Sequence, residues 1–322
     1  MFDHHHHDHD LDESGLSRRG LLTRCAGWAG TAALYTMAGG VASSMSIDAA
    51  LAAKPIMGKT KPFTFLQISD THLGFDKPAN PNTRATALEA VAKIKALAQK
   101  PDLILHTGDI THLSKDEQFD DAKQILSDLG TPIFYVPGEH DFLDEGGGKT
   151  FLAHYGQNTL GTGWYSFDHN GVHFVALNNV ANLKPGGMAH IGDDQLAWLK
   201  KDLAGLSSST PIVVFAHIPL WTVYEEWGWG TDDSAQALGF LRRFGSVTVL
   251  NGHIHQVLQK VDGNINFHSA RSTAYPQPAP GAAPSPGPLK VPTEQLPSML
   301  GIRTATFTRG TAPIALIDST LA

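Results

Sequence analysis

Five short segments of this 322-residue sequence place aspartate, glutamate or histidine at close spacing. They are Asp70-Thr71-His72, Gly108-Asp109, Gly138-Glu139-His140-Asp141, His217 and Gly252-His253-Ile254-His255. Carboxylate oxygens and imidazole nitrogens together suit iron, manganese or zinc. Each segment alone is a weak signal, because a single histidine or a Gly-Asp turn is common in proteins. The ordered set of five, however, predicts a metal site.

The spacing within the segments would let their side chains point toward one site. In the Asp-x-His of residues 70–72 and the His-x-His of residues 253–255, an extended backbone would point both side chains the same way, because a strand has a period of two. Gly108, Gly138 and Gly252 would let the chain turn sharply and bring its backbone close to an ion.

Each segment directly follows a stretch with the composition of a β-strand. The predicted strands are residues 63–69, 103–105, 133–136, 212–216 and 247–250, and predicted helices cover residues 82–99, 114–130, 194–203 and 234–244. The order of strand, helix and strand favours a parallel or mostly parallel sheet. The carboxyl ends of such strands meet at one edge, where sites form.

Local signals refine this assignment. Ser114 and Glu117 form a capping-box pattern, which predicts that a helix begins at Ser114. Asn170-Gly171 between apolar runs predicts a hairpin over residues 164–178. Residues 276–297 hold eight prolines, which predicts a long loop or lid rather than a regular element.

The motif order resembles that of the calcineurin-like metallophosphoesterases, whose pattern is Asp-x-His, Gly-Asp, Gly-Asn-His-Asp/Glu, His and Gly-His-x-His. The resemblance runs from about residue 63 to 255 and is specific for the superfamily but not for a substrate. It implies an α/β fold, a four-layer αββα sandwich with two central mixed β-sheets. It also implies a metal-dependent phosphoesterase, with residues 53–322 forming a single catalytic domain.

The resemblance also implies a role for each motif residue. The first metal would be held by Asp70, His72, Asp109 and His255, and the second by Asp109, Glu139, His217 and His253. Two ions, iron with manganese or zinc, would generate hydroxide from water and clamp the phosphoryl oxygens. His140 would be catalytic by assisting the leaving group. Asp141 would orient His140.

Position 139 departs from the family pattern, which has asparagine there. With two divalent ions and carboxylates at Asp70, Asp109 and Glu139, the site carries one positive charge, against two with asparagine. A less positive site should attract a dianionic monoester less than a monoanionic diester. Two alternatives stay open: Glu139 does not ligate and the second metal is weakly held, or the exchange leaves the activity unchanged.

Other polar residues are weaker candidates for the site. His112 lies where the related purple acid phosphatases carry a tyrosine ligand, but a polar loop residue is the favoured interpretation. Arg84 and Arg271 could reach substrate oxygens, although surface solvation is favoured for both. The strand histidines His106, His173 and His268 are predicted to be structural.

An aromatic segment follows His217 and holds Trp221, Tyr224, Trp227 and Trp229. Such a segment could form a wall for an organic, ring-bearing or lipid-like leaving group, or it could fold onto its own small core. The two interpretations have equal support. The proline-rich segment could cover the same mouth.

Residues 1–52 resemble a twin-arginine export signal with a histidine-rich lead. Ser17-Arg18-Arg19-Gly20-Leu21-Leu22 carries the motif, and Ala50-Leu51-Ala52 offers a cleavage site. Arg24 interrupts the apolar stretch, so no stable membrane span is expected after processing. These features predict passage through the twin-arginine export machinery to the periplasm or outside the cell. The alternative is a cytoplasmic amphipathic helix.

Composition excludes other classes of protein. The formal net charge of −7 is unlike a nucleic-acid binder. The single cysteine, Cys25, rules out an internal disulfide framework.

The motifs and the charge at position 139 make a phosphoesterase that prefers diesters the leading hypothesis. The alternatives are a monoesterase for phosphate scavenging and a non-catalytic periplasmic metal-binding protein, against which the His140-Asp141 pair argues.

Overall fold

A computed structural model describes residues 62–184, 186–308 and 314–322. The chain divides into the units Met1–Pro55 and Ile56–Ala322, and every described residue lies in the second. The predicted export signal and histidine-rich lead lie outside the described residues. Within the described part of the chain, no helix has the length and apolar character needed to cross a membrane. The single-domain assignment of residues 53–322 stays a prediction.

Eleven strands in the described residues form two mixed sheets. They are β1 (Phe63–Ile68), β2 (Leu103–Thr107), β3 (Ile133–Val136), β4 (Tyr165–His169), β5 (Val172–Ala176), β6 (Ile212–Phe215), β7 (Val247–Asn251), β8 (Gln259–Asp262), β9 (Ile265–Ser269), β10 (Gly301–Phe307) and β11 (Ala315–Thr320). The first sheet has the order β11-β10-β1-β2-β3, and the second has the order β4-β5-β6-β7-β9-β8. Strands β1, β2 and β3 are parallel to one another, as are β5, β6, β7 and β9.

Helices follow several of these strands. They are α1 (Thr83–Lys95), α2 (Asp116–Ser127), α3 (Lys149–Tyr155), α4 (Asp193–Ala204), α5 (Ser234–Leu241) and α6 (Leu296–Met299). Short 3₁₀ turns cover Glu139–Phe142, Glu225–Trp227 and Thr293–Gln295.

Apolar side chains pack in three layers that define the sandwich. Phe65 of β1 and Phe174 of β5 are fully buried between the sheets, with ring centroids 5.4 Å apart. The next residue, Leu66, points to the opposite face because strand side chains alternate, and it joins the cluster under α1 and α2. Helices α4 and α5 cover the second sheet in the same way, through a cluster that includes Leu199 and Leu241.

This architecture confirms the predicted α/β fold with two central mixed sheets flanked by helices. The hairpin around Asn170-Gly171 is also confirmed, since β4 and β5 pair antiparallel on either side of it. The predicted helix start at Ser114 is wrong. Ser114 has a left-handed φ of 56° and α2 begins at Asp116. The proline-rich segment is a loop that ends in a 3₁₀ turn and α6, so its last residues are regular.

Candidate metal centre

The site lies where five parallel strands end. The chain leaves β1, β2 and β3 of the first sheet and β6 and β7 of the second, and each exit carries one of the motif segments within three residues. The seven predicted ligands come together there from both sheets. Their assignment as ligands stays a prediction.

The first donor group is fully buried. Nε2 of His255 lies 3.2 Å from Oδ1 of Asp70 and 3.3 Å from Nε2 of His72. All three side chains are at most 2% exposed. Their ligand atoms lie close enough together to hold one metal ion.

The second donor group surrounds Glu139. Oε2 of Glu139 lies 2.9 Å from Nε2 of His217, and Oε1 lies 3.0 Å from Nδ1 of His253. The longer side chain therefore reaches both histidines. The position where the family pattern has asparagine here offers a carboxylate to this group.

Asp109 lies between the two groups. Its Oδ2 is 3.4 Å from Nε2 of His72 and 3.3 Å from Nε2 of His217. Its Oδ1 accepts a hydrogen bond from the backbone N–H of His140 at 2.9 Å. One oxygen is thus fixed by the backbone, and the other faces both groups.

Five of the seven side chains sit on left-handed backbone: Asp70, His72, Asp109, His253 and His255 have φ between 39° and 67°. The expected extended backbone at residues 70–72 and 253–255 is therefore wrong, because both pairs follow the strand ends. Non-glycine residues with positive φ carry strain, which persists where the surrounding structure enforces it, often at functional sites. Here the left-handed backbone directs the side chains of these residues into one cluster.

Two glycines make room for the carboxylates. A Cβ at Gly138 would overlap Oδ1 of Asp109, and a Cβ at Gly252 would overlap Oγ of Ser69 and approach Oδ2 of Asp70 to 2.6 Å. The glycines were expected to bring backbone close to an ion. In the structure they instead let the carboxylates of Asp109 and Asp70 pack against backbone.

Backbone carbonyls set the tautomers of two histidines. Nδ1 of His217 lies 2.7 Å from the carbonyl oxygen of Thr107, and Nδ1 of His255 lies 2.6 Å from that of Tyr275. A carbonyl only accepts, so each Nδ1 carries a proton, and in the neutral ring the lone pair is then on Nε2. Such hydrogen bonds commonly orient metal-ligating histidines.

Unsatisfied atoms indicate that cations fit this cluster. Nε2 of His217 and Oε2 of Glu139 face each other at 2.9 Å, yet both are acceptors when His217 donates from Nδ1. Oδ2 of Asp70 and Nδ1 of His253 are likewise buried without a hydrogen-bond partner. Buried acceptors in contact repel unless a proton or a cation lies between them. A nitrogen and oxygen donor set of this kind suits the transition metals.

Electrostatics inside the cluster are strong. Burial raises the pKa of Glu139, but His253 and His217 outweigh it and hold the pKa well below its ordinary value. Burial lowers the pKa of His217, but Asp109 and Glu139 raise it well above its usual range. Burial, helped by His140 and His255, lowers the pKa of His72 well below its ordinary value. Burial therefore favours the neutral form of His72, the form in which an imidazole can bind a metal.

His140 lies beside the cluster and is oriented by His112. Its Nδ1 is 2.8 Å from the carbonyl oxygen of His112, and the two rings stack at 4.6 Å. Burial lowers the pKa of His140, but the negative charges of Asp109 and Glu139 raise it by more, so the pKa lies above its ordinary value. His112 lies in the loop before α2, in line with its interpretation as a polar loop residue, and its ring also stacks on that of His140.

Asp141 does not contact the His140 ring, so the expectation that it orients this ring is wrong. Its carboxylate accepts hydrogen bonds from the backbone N–H groups of Gly138, Ile110 and Thr111 and from the Thr111 hydroxyl, at 2.8–3.0 Å. Consecutive side chains of a 3₁₀ turn point about a third of a turn apart. Asp141 therefore secures the loop that carries Asp109.

Tyr275 is a residue of the site that the sequence analysis missed. Its ring stacks on His72 at 4.8 Å, and its hydroxyl lies 3.2 Å from Nε2 of His72. It lies 20 residues beyond His255, outside the motifs, so only the path of the following loop reveals it. The two arginine candidates pair elsewhere: Arg84 lies in α1 and pairs with Asp121 at 3.2 Å, and Arg271 donates to the carbonyl oxygen of Met299.

Two mixed sheets between helices, with aspartate and histidine gathered at the strand ends, define the metallophosphoesterase class. Residues 63–257 match the family model described as calcineurin-like phosphoesterase, and the chain belongs to this family. It is therefore a hydrolase of phosphoric esters, in a family that depends on two metal ions.

Related proteins agree with this assignment. A 3',5'-cyclic-nucleotide phosphodiesterase from a Nostoc species is 24% identical over 229 residues, 68% of this chain and 81% of the relative. A glycerophosphodiester phosphodiesterase from Enterobacter lignolyticus is 24% identical over 206 residues, 59% of this chain and 70% of the relative. The structure of a dimetal phosphatase from Danio rerio matches with a TM-score of 0.54 at 15% identity, covering 81% of this chain and 99% of that one. At this identity, the structural match establishes the fold alone.

Proposed function

We propose that this chain hydrolyses phosphodiesters at a dinuclear metal centre. The observation that carries the proposal is the pair of donor groups that share Asp109, whose Oδ2 lies within 3.4 Å of His72 and His217. Asp70, His72 and His255 would complete the first metal site. Glu139, His217 and His253 would complete the second. The donor set favours iron together with manganese or zinc.

The side chains around the two positions have separate tasks. When bound, two divalent ions acidify water and neutralise charge on phosphoryl oxygens. His140 donates a hydrogen bond from Nδ1 to the carbonyl oxygen of His112, which leaves Nε2 to exchange a proton with the leaving-group oxygen. The backbone N–H of His140 holds Asp109, so one short turn positions both the shared carboxylate and the acid.

Charge supports a diester rather than a monoester. Glu139 adds a third carboxylate to the site, which leaves two divalent ions with one net positive charge. A monoanionic diester loses less attraction at such a site than a dianionic monoester. The names of the two relatives, a cyclic-nucleotide phosphodiesterase and a glycerophosphodiester phosphodiesterase, point the same way.

Metal content and two matched substrates test the proposal. Purified protein and its Asp109→Ala variant are loaded with iron and manganese or zinc, and bound metal is counted. We expect up to two ions per chain to be lost in the variant, while Asp121→Ala, which removes an exposed carboxylate, keeps them. All three proteins carry the histidine-rich lead, so any metal bound there contributes equally and does not affect the differences in metal content. Equal metal content in wild type and Asp109→Ala would contradict the dinuclear site.

Rates on bis(p-nitrophenyl) phosphate and p-nitrophenyl phosphate complete the test. A higher kcat/KM for the diester supports the proposal. A higher value for the monoester would favour the phosphate-scavenging alternative. No turnover of either ester by protein that holds two ions would favour a non-catalytic metal-binding protein.

We also propose export by the twin-arginine route to the periplasm or outside the cell. The support is the Ser17-Arg18-Arg19-Gly20-Leu21-Leu22 motif and the small residues that follow the apolar stretch. Exchanging Arg18 and Arg19 together for lysine keeps the charge and should retain the protein in the cytoplasm. Cell fractionation measures this, and unchanged export of the double variant would contradict the route.

A further inference from the structure

A cavity of about 650 Å³ opens beside the candidate metal centre. Glu139, His140 and His253 form part of its wall, so the cavity is continuous with the donor groups. Its volume lies in the range of about 300–1,000 Å³ that is usual for small-molecule sites. It is therefore large enough to hold one organic substituent of a phosphodiester bound at the metals.

Most other side chains of the wall are apolar. They include Phe142, Leu143, Leu183, Ile218 and Trp227, together with prolines of the loop near residue 286. Leu143 is 56% exposed, which is unusual for a large aliphatic side chain next to a catalytic site. An apolar surface of this kind gains free energy when an apolar group covers it.

The aromatic segment supplies a rigid part of this wall. Trp229 is fully buried, with its ring centroid 6.4 Å from that of His253, and Trp227 packs edge-on against it at 5.0 Å. Trp221 instead packs against Phe267 in the core at 5.1 Å. The aromatic segment thus has both roles expected from the sequence. Trp227 and Trp229 line the cavity, whereas Trp221 packs in the core.

The cavity lacks partners for a second anionic group. Of the described residues that line it, none is lysine or arginine. An unpaired carboxylate or second phosphate would be costly to bury there. The side-chain amide of Gln277 donates to the carbonyl oxygen of His253 at 3.1 Å, and its Oε1 has no hydrogen-bond partner. Among the described lining residues, Gln277 therefore offers a free side-chain acceptor, and no lysine or arginine offers a cation.

We propose that this cavity is a specificity subsite for an uncharged, mainly apolar substituent of the phosphodiester, ring-bearing or extended, with Trp227 as its principal contact. The inference rests on the proposed phosphodiesterase function and names its substrate class. The substituent lies against Trp227 and Leu143, while its phosphoryl group faces Glu139, His140 and His253. A substituent with its own negative charge is disfavoured because no lysine or arginine among the described lining residues would balance it.

Binding of two inert phosphinates tests the subsite without any turnover. Dimethylphosphinate and benzyl(methyl)phosphinate are both monoanions and contain no ester bond, so they differ only in the substituent. We expect calorimetry on the metal-loaded full chain to give a Kd at least about tenfold lower for the benzyl compound, in line with the selectivity of apolar pockets. Equal affinities would overturn the proposal.

Variants locate the effect. Trp227→Ala should bring the two Kd values within about twofold of each other while leaving that of dimethylphosphinate unchanged, and Trp227→Phe should keep most of the preference. Trp198→Ala removes a half-buried tryptophan from the second sheet's helix cluster and should keep all of it. A Trp227→Ala variant that weakens both ligands equally would overturn the proposal, because the loss would then be structural.

A third ligand tests the charge argument. 2-Carboxyethyl(methyl)phosphinate should bind no better than dimethylphosphinate, and binding as tight as that of the benzyl compound would overturn the uncharged subsite. These outcomes are separable from the proposed function. A benzyl preference with no diester hydrolysis would reject only the function, whereas diester hydrolysis without the preference would reject only the subsite.

Discussion

Nδ1 of His140 lies 2.8 Å from the carbonyl oxygen of His112, and the two imidazole rings stack with centroids 4.6 Å apart. The bond fixes the proton on Nδ1 and leaves Nε2 of His140 facing the site. The stack limits rotation of the ring. His140 is thus oriented by the loop after β2, the same loop that carries Asp109.

The first prediction is that His140→Ala lowers kcat strongly while metal content stays near that of wild type. His140 lies beside the donor groups, and general acid catalysis contributes about 100- to 10,000-fold. The loss should be smaller for nitrophenyl esters than for alkyl esters, because nitrophenolate leaves with little need of a proton. Metal analysis and kcat on both kinds of ester measure this. Equal losses on the two would remove His140 from the acid role.

The second prediction concerns His112 as a positioning residue. His112→Ala keeps the carbonyl but removes the stacked ring, and should lower kcat by about tenfold to a hundredfold through misplacement of His140. The loss should again be larger for alkyl esters. In the double variant with His140→Ala, the His112 substitution should have little further effect, since coupled residues are not additive.

Replacement by another ring provides the control. His112→Phe keeps a planar group against His140 and should recover most of the activity lost in His112→Ala. Full additivity in the double variant, or no recovery with phenylalanine, would show that His112 acts independently of His140.

The third prediction is a pH dependence of stability at His173, far from the donor groups. Its Nδ1 lies 2.8 Å from Asp168 and its Nε2 lies 2.9 Å from Asp202. Burial lowers the pKa of His173, but the hydrogen bonds to Asp202 and Asp168 outweigh it and raise the pKa above its ordinary value. A raised pKa in the folded state stabilises the protein fully below the unfolded pKa of about 6.5. This contribution is lost as pH rises through the folded pKa.

The Tm difference between wild type and His173→Gln should therefore shrink from pH 6.5 to pH 9.5, at saturating metal. His268→Gln serves as the control, because burial, with Arg303 nearby, lowers the pKa of His268 to about 4. Unfolded histidine has lost most of its proton by about pH 7.5, so His268 adds little slope over most of this range, and what it adds near pH 6.5 has the opposite sign to that of His173. If the Tm difference between wild type and His173→Gln stays constant or grows with pH, the ion pairs of His173 do not stabilise the fold in the predicted way.

Strand order and motif spacing predicted a mostly parallel sheet with the five motifs at one edge, and the resemblance to the metallophosphoesterases implied the second sheet and the seven ligand positions. Buried strands and their following turns are local features, so β1, β2, β3, β6 and β7 could be placed from composition. The hairpin at Asn170-Gly171 was predictable for the same reason.

Errors arose where long-range contacts override local pattern. Ser114 carries a capping sequence, but its N–H is donated to the Thr111 hydroxyl and Gln118 accepts from the N–H of Leu113, so the helix starts later. Tyr275 reaches His72 only because a loop returns from β9 to the site. A single sequence contains no signal for such a return.

The fourth prediction concerns Glu139, the residue that departs from the family pattern. Its two oxygens lie 2.9 Å from His217 and 3.0 Å from His253, so its charge sits within the second donor group. Glu139→Asn should raise the net charge of the metal-loaded site by one and help a dianionic monoester more than a monoanionic diester. Two unit charges about 4 Å apart interact by roughly 4 kcal/mol at an effective dielectric of about 20.

Rearrangement of water and ligands should reduce that effect, so we expect the monoester-to-diester ratio of kcat/KM to rise only about tenfold, or roughly 1.4 kcal/mol. The ratio is measured for both proteins at one pH with equal metal loading. Glu139→Gln separates charge from reach, because glutamine keeps the length of glutamate and should give a similar rise. An unchanged ratio would mean that the carboxylate does not set the preference for substrate charge. A shift toward diesters would reverse the sign of the electrostatic argument, and a rise with asparagine alone would assign the effect to side-chain length.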